Sequence, residues 1–235
     1  GQMCLKDCEA VNDAALVYNV RESTIEKLRE AGFETVKDLS ELNPDQPQFK
    51  ISKDTWKRIV LQAQSLQKND LIWLGEPDIP TTPYPIYFDI EGDPLLGVDY
   101  LFGFWVGNKN PTPRHAEFIS ASPVNPNEIL KQVQDDSEEQ KGKFVYFLAK
   151  QPEDEKQMWQ EFLSWLPSLP EDYLVYHYAP YERIHLDLLE KKYGGSKDLN
   201  KFRSKLIDLF DVVKNTVIFP LYFYSIKDLA KSRFV

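Results

Sequence analysis

Asp89 and Glu91, two residues apart in Tyr84-Pro-Ile-Tyr-Phe-Asp-Ile-Glu-Gly-Asp93, are the side chains of this sequence best placed to do chemistry. Tyr87, Phe88 and Ile90 favour a strand. Alternate residues of a strand share a face, so both carboxylates project from one side of a segment that otherwise reads as core. Like charges held that close are costly unless something positive sits between them. A hard divalent cation such as Mg²⁺ or Mn²⁺ prefers oxygen ligands and meets that need. The alternative is an edge strand with a solvated polar face, turning at Gly92 and Asp93.

A second candidate is His177-Tyr-Ala-Pro-Tyr-Glu182, which reads as a strand-to-helix corner with Pro180 in the first helical turn. Ligands of open α/β sheets gather at such strand ends. Glu182 would face Asp89 if its strand lay beside the first one, although a helix N-terminus favours an acid on its own account. His177 is a candidate to orient a water, against the plainer reading of a packed core histidine. In Asp208-Leu-Phe-Asp211, Asp208 is a further candidate ligand and a cap is the alternative. Tyr222, Phe223 and Tyr224 read as core rather than as a base-stacking platform.

These residues need a scaffold of two parts. Residues 1–69 read as helical. Asn12 or Asp13 caps a first helix through Val17, and Ser23 with Glu26 forms a capping box for Thr24–Ala31, which ends at Gly32. Thr35 opens a short helix, and Ser52 opens one carrying Trp56, Ile59, Val60, Ala63 and Leu66 at helical spacing. Residues 70–85 hold four prolines and read as a linker. From residue 86 to 235, strands are expected at Ile86–Glu91, Tyr100–Val106, about Ala116–Ser120, Leu174–Tyr178 and Leu206–Phe210. Helices are expected at Pro152–Leu166, Tyr181–Tyr193 and Ser225–Ser232. Three consecutive strands followed by alternating helix and strand give an α/β (α+β) class with a mixed sheet.

Among 235 residues, 42% are hydrophobic and 28% charged, as in ordinary globular proteins. No apolar run is long enough to span a bilayer, there is no signal-peptide pattern near Gly1, and two cysteines do not make a secreted disulfide scaffold. A cytoplasmic protein without a membrane partner is expected. The net charge of −9 disfavours a nucleic-acid binder. Its distribution is uneven: residues 71–182 hold 7 basic and 19 acidic residues, whereas residues 183–235 hold 11 basic and 6 acidic, a net +5. Lys191, Lys192, Lys201 and Arg203 are therefore candidate phosphate contacts, with a solvated helix face as the alternative. Cys4 and Cys8, with three residues between them, are a poor zinc pair.

Taken together, the sequence resembles the C-terminal two-thirds of the predicted RecB-family nucleases. In these a cysteine-bearing nuclease domain precedes a helix-hairpin-helix region and then an RNase H-like exonuclease domain of the DEDD type. The matching stretches are Asn12–Val20 running into Leu28-Arg-Glu-Ala-Gly32, then Tyr87-Phe-Asp-Ile-Glu-Gly-Asp93, Val175-Tyr-His-Tyr-Ala-Pro-Tyr-Glu182, Asp208-Leu-Phe-Asp-Val-Val213 and Tyr224-Ser-Ile-Lys-Asp-Leu-Ala230. The resemblance implies a 3′–5′ exonuclease-like, two-metal phosphodiesterase using two Mg²⁺ or Mn²⁺ ions. Asp89 and Glu91 match the first motif, and Glu182 stands at the second-motif aspartate. Asp208 is a further metal ligand and His177 a catalytic neighbour. The implied partner is nucleic acid, DNA ahead of RNA, with Arg21 in the hairpin position. That hairpin lacks its usual glycine; Asn19-Val20-Arg21 stands there instead. Cys4 and Cys8 resemble the tail of a cysteine cluster that in relatives holds iron–sulfur. No third-motif aspartate precedes Val235, so a fragment with weak or no activity is expected, and a non-catalytic nucleic-acid-binding module is the alternative.

Overall fold

The helical part is organised by caps. The computed structural model describes residues 2–107 and 142–234, with side chains from residue 5 onward. Helix α1, Gln2–Val11, precedes a 3-10 turn at Ala14–Leu16, whose cap Asp13 accepts from the Ala15 amide. α2, Glu22–Glu30, starts from Arg21 without a side-chain cap, so the expected Ser23 capping box does not form. Asn19 there has φ +58°, the left-handed conformation that a hairpin glycine would otherwise supply. α3, Val36–Ser40, carries a full capping box between Thr35 and Asp38. α4, Lys53–Lys68, is capped by Ser52 and ends at Asn69 with φ +50°. Leu28, Leu39, Trp56, Val60 and Ala63 form its core.

Contacts divide the chain into two units, residues 1–77 with 213–235, and residues 78–212. The stretch after Val213 was expected to complete the second domain but groups with the helices. Two features explain this. Within the region expected as a linker, β1, Ile72–Trp73, pairs antiparallel with β7, Val217–Ile218. A buried polar network then ties the same stretch to α4. Gln62 donates to the Phe219 carbonyl at 2.8 Å, and Tyr224 donates to Gln62 Oε1 at 2.8 Å while accepting from the Phe219 amide at 2.7 Å. The short helix α9, Ile226–Lys231, follows with Ser225 as its cap.

The second unit is a five-stranded mixed sheet in the order β4-β3-β2-β5-β6. β2 spans Tyr84–Asp93, β3 Val98–Val106, β4 Lys143–Leu148, β5 Tyr173–His177 and β6 Leu206–Asp208. β2 runs antiparallel to β3 and parallel to β5, which is parallel to β6. Helices α5 (Glu155–Trp165), α6 (Tyr181–Tyr193) and α7 (Lys197–Ser204) lie between the strands in sequence, and α8, Leu209–Thr216, follows β6. Alternation on β2 sets the faces: Ile86, Phe88 and Ile90 are buried with Phe102, Phe104, Trp159, Phe162 and Phe202. The opposite face keeps Tyr87, Trp105, Phe144 and Tyr146 between 40% and 48% exposed. The strand expected at about Ala116–Ser120 lies outside the described residues. β4, α7 and α8 were not anticipated as separate elements.

Replacing Gln62 by Leu takes a donor from the Phe219 and Leu221 carbonyls and an acceptor from the buried Tyr224 hydroxyl. Urea unfolding should register a loss of about 1–3 kcal/mol for Gln62→Leu, the scale of buried groups left unpaired.

Candidate functional site

Asp89 and Glu91 leave β2 on the face opposite the core, as their spacing demands. The ladder with β3 slips between Glu91 and Gly92. Glu182 enters from the corner between β5 and α6 and is only 4% exposed. That corner is a constrained piece of backbone. Ala179 has φ +69°, a conformation that costs an L-residue about 1–2 kcal/mol. Two side chains hold it there. The Ala179 amide donates to Asp208 Oδ1 at 2.9 Å, and His177 Nδ1 lies 2.9 Å from the Ala179 carbonyl oxygen. A carbonyl only accepts, so Nδ1 carries the hydrogen. The same nitrogen lies 3.3 Å from Glu182 Oε2.

Asp89 and Glu182 meet. Their side chains share a hydrogen bond, and Glu91 adds its charge. Burial first, then the Glu182 and Glu91 charges, push the Asp89 carboxyl up to about 6, although the residue keeps an exposed edge. At about pH 6 and below, a proton therefore relieves the repulsion among the three acids. Asp208 does something else. Its Oδ1 accepts from both the Ala179 and the Phe210 amides at 2.9 Å, so that oxygen clasps the corner rather than facing a ligand. His177 is 3% exposed, with Nε2 unpartnered among buried side-chain atoms. Its polar contacts place it as a brace for Glu182.

The acid pair fits a divalent cation in its donor chemistry. Two hard carboxylates held close together, one of them with a raised proton affinity, are groups whose mutual repulsion a cation would relieve. Mg²⁺ is commonly held by one or two carboxylates together with waters and substrate phosphates. The larger set expected from the sequence is not assembled: among the described residues, no group of three or more His, Cys, Asp and Glu side chains is arranged to hold a metal. Cys8 is half-buried against the helical core, and the side chain of Cys4 lies outside the described residues.

The basic run is largely committed. Lys192 pairs with buried Glu155, Lys201 with Glu171 at 2.9 Å, and Arg203 with Glu190 at 2.5 Å and Asp187 at 3.0 Å. Lys191 and Arg21 are exposed. Sequence reasoning missed a cluster beside the acids. Tyr181 stacks on His185 with ring centroids 3.9 Å apart, and His185 Nδ1 lies 2.7 Å from Asp99 Oδ1. The spacing of Tyr181 and His185, four apart on one helix, was a usable signal. Asp99, on another strand, offered none.

A mixed sheet with these helices is the α/β arrangement of an RNase H-like fold. A family model described as the RNase H superfamily matches residues 135–235, less than half of the chain. No curated protein and no solved structure matches. Among the described residues, no helix is long and apolar enough to cross a membrane.

Two outcomes follow. An unfolded aspartate ionises near pH 4, whereas folded Asp89 stays protonated until about 6. The wild type therefore loses stability as pH rises through that window and keeps the penalty above it. In metal-free buffer the Tm of Asp89→Asn should exceed that of the wild type at pH 8, and the difference should close by pH 4. Asp208→Ala should cost about 1–3 kcal/mol in urea unfolding, because the Ala179 amide of the corner and the Phe210 amide of α8 lose their acceptor.

Proposed function

We propose that the chain is a metal-dependent nuclease of RNase H-like type, hydrolysing phosphodiester bonds in nucleic acid, DNA ahead of RNA. The single observation that supports this most is the meeting of Asp89 with Glu182, residues far apart in sequence; burial, with the Glu182 charge next, raises the Asp89 carboxyl to about 6. A bound Mg²⁺ or Mn²⁺ supplies charge neutralisation at the scissile phosphate and an activated water. Asp89, central to the acid cluster and ionised above about pH 6, would be a ligand of that cation. Glu182, braced through Oε2 by His177, presents the second carboxylate from a corner that cannot relax easily. Glu91 adds negative charge from the same strand face, which strengthens cation binding without needing to touch the ion. A second ion, as the two-metal scheme requires, would depend on substrate oxygens for the ligands that this side-chain set lacks. The 3′–5′ direction of digestion rests on the resemblance alone.

A second reading is a non-catalytic nucleic-acid-binding module, favoured because no third side chain among the described residues is arranged with the acid pair to hold a metal. Incubating end-labelled single- and double-stranded oligonucleotides with the chain separates the two, with Mn²⁺, Mg²⁺ or a chelator present. The nuclease reading expects product only with the cation, and Asp89→Asn and Glu182→Gln should each lower cleavage by about 100-fold or more, beyond the effect of losing a supporting residue. Binding that ignores the cation, with no product from any substrate, supports the module instead.

A further inference from the structure

The candidate site is almost wholly acidic, yet its proposed substrate is an anion. Around the Tyr181 hydroxyl stand Asp99, Glu91, Glu182 and Asp89, and a phenol is neutral at physiological pH. A neutral hydroxyl among four acids is a hydrogen-bond donor in a place where an approaching phosphate otherwise meets only acceptors.

The position of that hydroxyl is fixed from several sides. Tyr181 opens α6 and stacks on His185 one turn later, at 3.9 Å between centroids with the planes 23° apart. His185 is clamped in turn by Asp99, 2.7 Å from Nδ1 to Oδ1 and 2.9 Å to Oδ2. Asp99 is 4% exposed, and its own amide donates to Glu155 Oε1 at 2.8 Å. Glu155 is anchored by Lys192 and by the Tyr193 hydroxyl at 2.6 Å. The floor of the cradle is Gly92, at the slip in the β2–β3 ladder. A Cβ there would lie 2.7 Å from the Tyr181 hydroxyl and 2.7 Å from Asp99 Oδ1. Only glycine leaves both oxygens where they are.

We propose that Tyr181 is a substrate-binding residue, its hydroxyl donating to a non-bridging phosphate oxygen, and that His185 and Asp99 are positioning residues that hold it over Gly92. Resting on the nuclease reading, the assignment deepens that same site. Tyr181 offers the phosphate a donor without adding a cation that would compete with the metal for the carboxylates. It supplies that contact next to the acids, while Lys192, Lys201 and Arg203 are tied up in ion pairs.

The test is oligonucleotide affinity with Ca²⁺ as the divalent ion, by fluorescence anisotropy of a labelled single strand, with cation-dependent thermal shift and cleavage in Mn²⁺ measured alongside. Tyr181→Phe keeps the ring and removes the donor. It should weaken binding about tenfold, the scale of one hydrogen bond to a charged group, and leave the cation-induced shift unchanged. His185→Ala should match it, whereas His185→Phe, which restores a stacking face without the Asp99 clamp, should recover part of the affinity. That partial rescue is a readout that a purely structural role would not give. Equal affinity of wild type and Tyr181→Phe overturns the assignment while leaving the nuclease reading in place. Loss of the cation shift in Tyr181→Phe also overturns it, because the residue would then be supporting the acids. A wild-type chain that binds, weakens with Tyr181→Phe and never cleaves would retire the nuclease reading and keep the phosphate contact. A wild-type chain that binds no oligonucleotide overturns both.

Discussion

Mutual repulsion of carboxylates, held in check by the surrounding fold, is the constraint around which the second unit is built. Asp89, Glu91 and Glu182 would separate if their backbones could yield. They do not, because β2 is locked on both sides, antiparallel to β3 and parallel to β5, with Phe88 and Ile90 rooted in an aromatic core. The raised proton affinity of Asp89 is the sign of that stress. Burial energy in the core, gained over many apolar contacts, offsets a local electrostatic cost that no isolated hairpin could bear.

The corner between β5 and α6 plays the complementary part. Ala179 is held at a positive φ by the Asp208 carboxylate and by His177, and this aims Glu182 at β2. Residues that looked like ligands thus act on geometry. Backbone strain tends to collect where a side chain must be presented against its own preference, and here it lies three residues before the acid it aims. The cluster of Asp99, Glu155, His185 and Tyr181 is organised similarly, each member fixing the next along a chain of hydrogen bonds and one ring stack.

Much of this architecture was legible in the residues themselves. Alternation around Asp89 gave the strand and its polar face, because a period of two has a single structural meaning. Caps at Thr35 and Ser52 gave helix starts, since their side chains satisfy orphan amides wherever they occur. Other features depended on partners far away in sequence. Ser23 looked like a cap, but the chain reverses at Asn19 and starts α2 from Arg21 instead. Residues after Val213 carried no mark of their attachment to α4, which needs a glutamine and a tyrosine to find each other across most of the sequence. Asp208 showed its type and not its job: a carboxylate that binds amides and one that binds metal are written with the same letter.

The parallel pairing of β2 with β5 has a kinetic corollary. Its partners, Tyr84 with Tyr173 through Tyr87 with Tyr176, form the least local strand pairing of the five-stranded sheet, and such closures are slow and entropically expensive to nucleate. The acids on either side of that seam stay apart, and therefore mutually indifferent, until it zips. Whatever chemistry they perform is acquired late in folding, and a nascent chain carries no assembled centre before its sheet is whole.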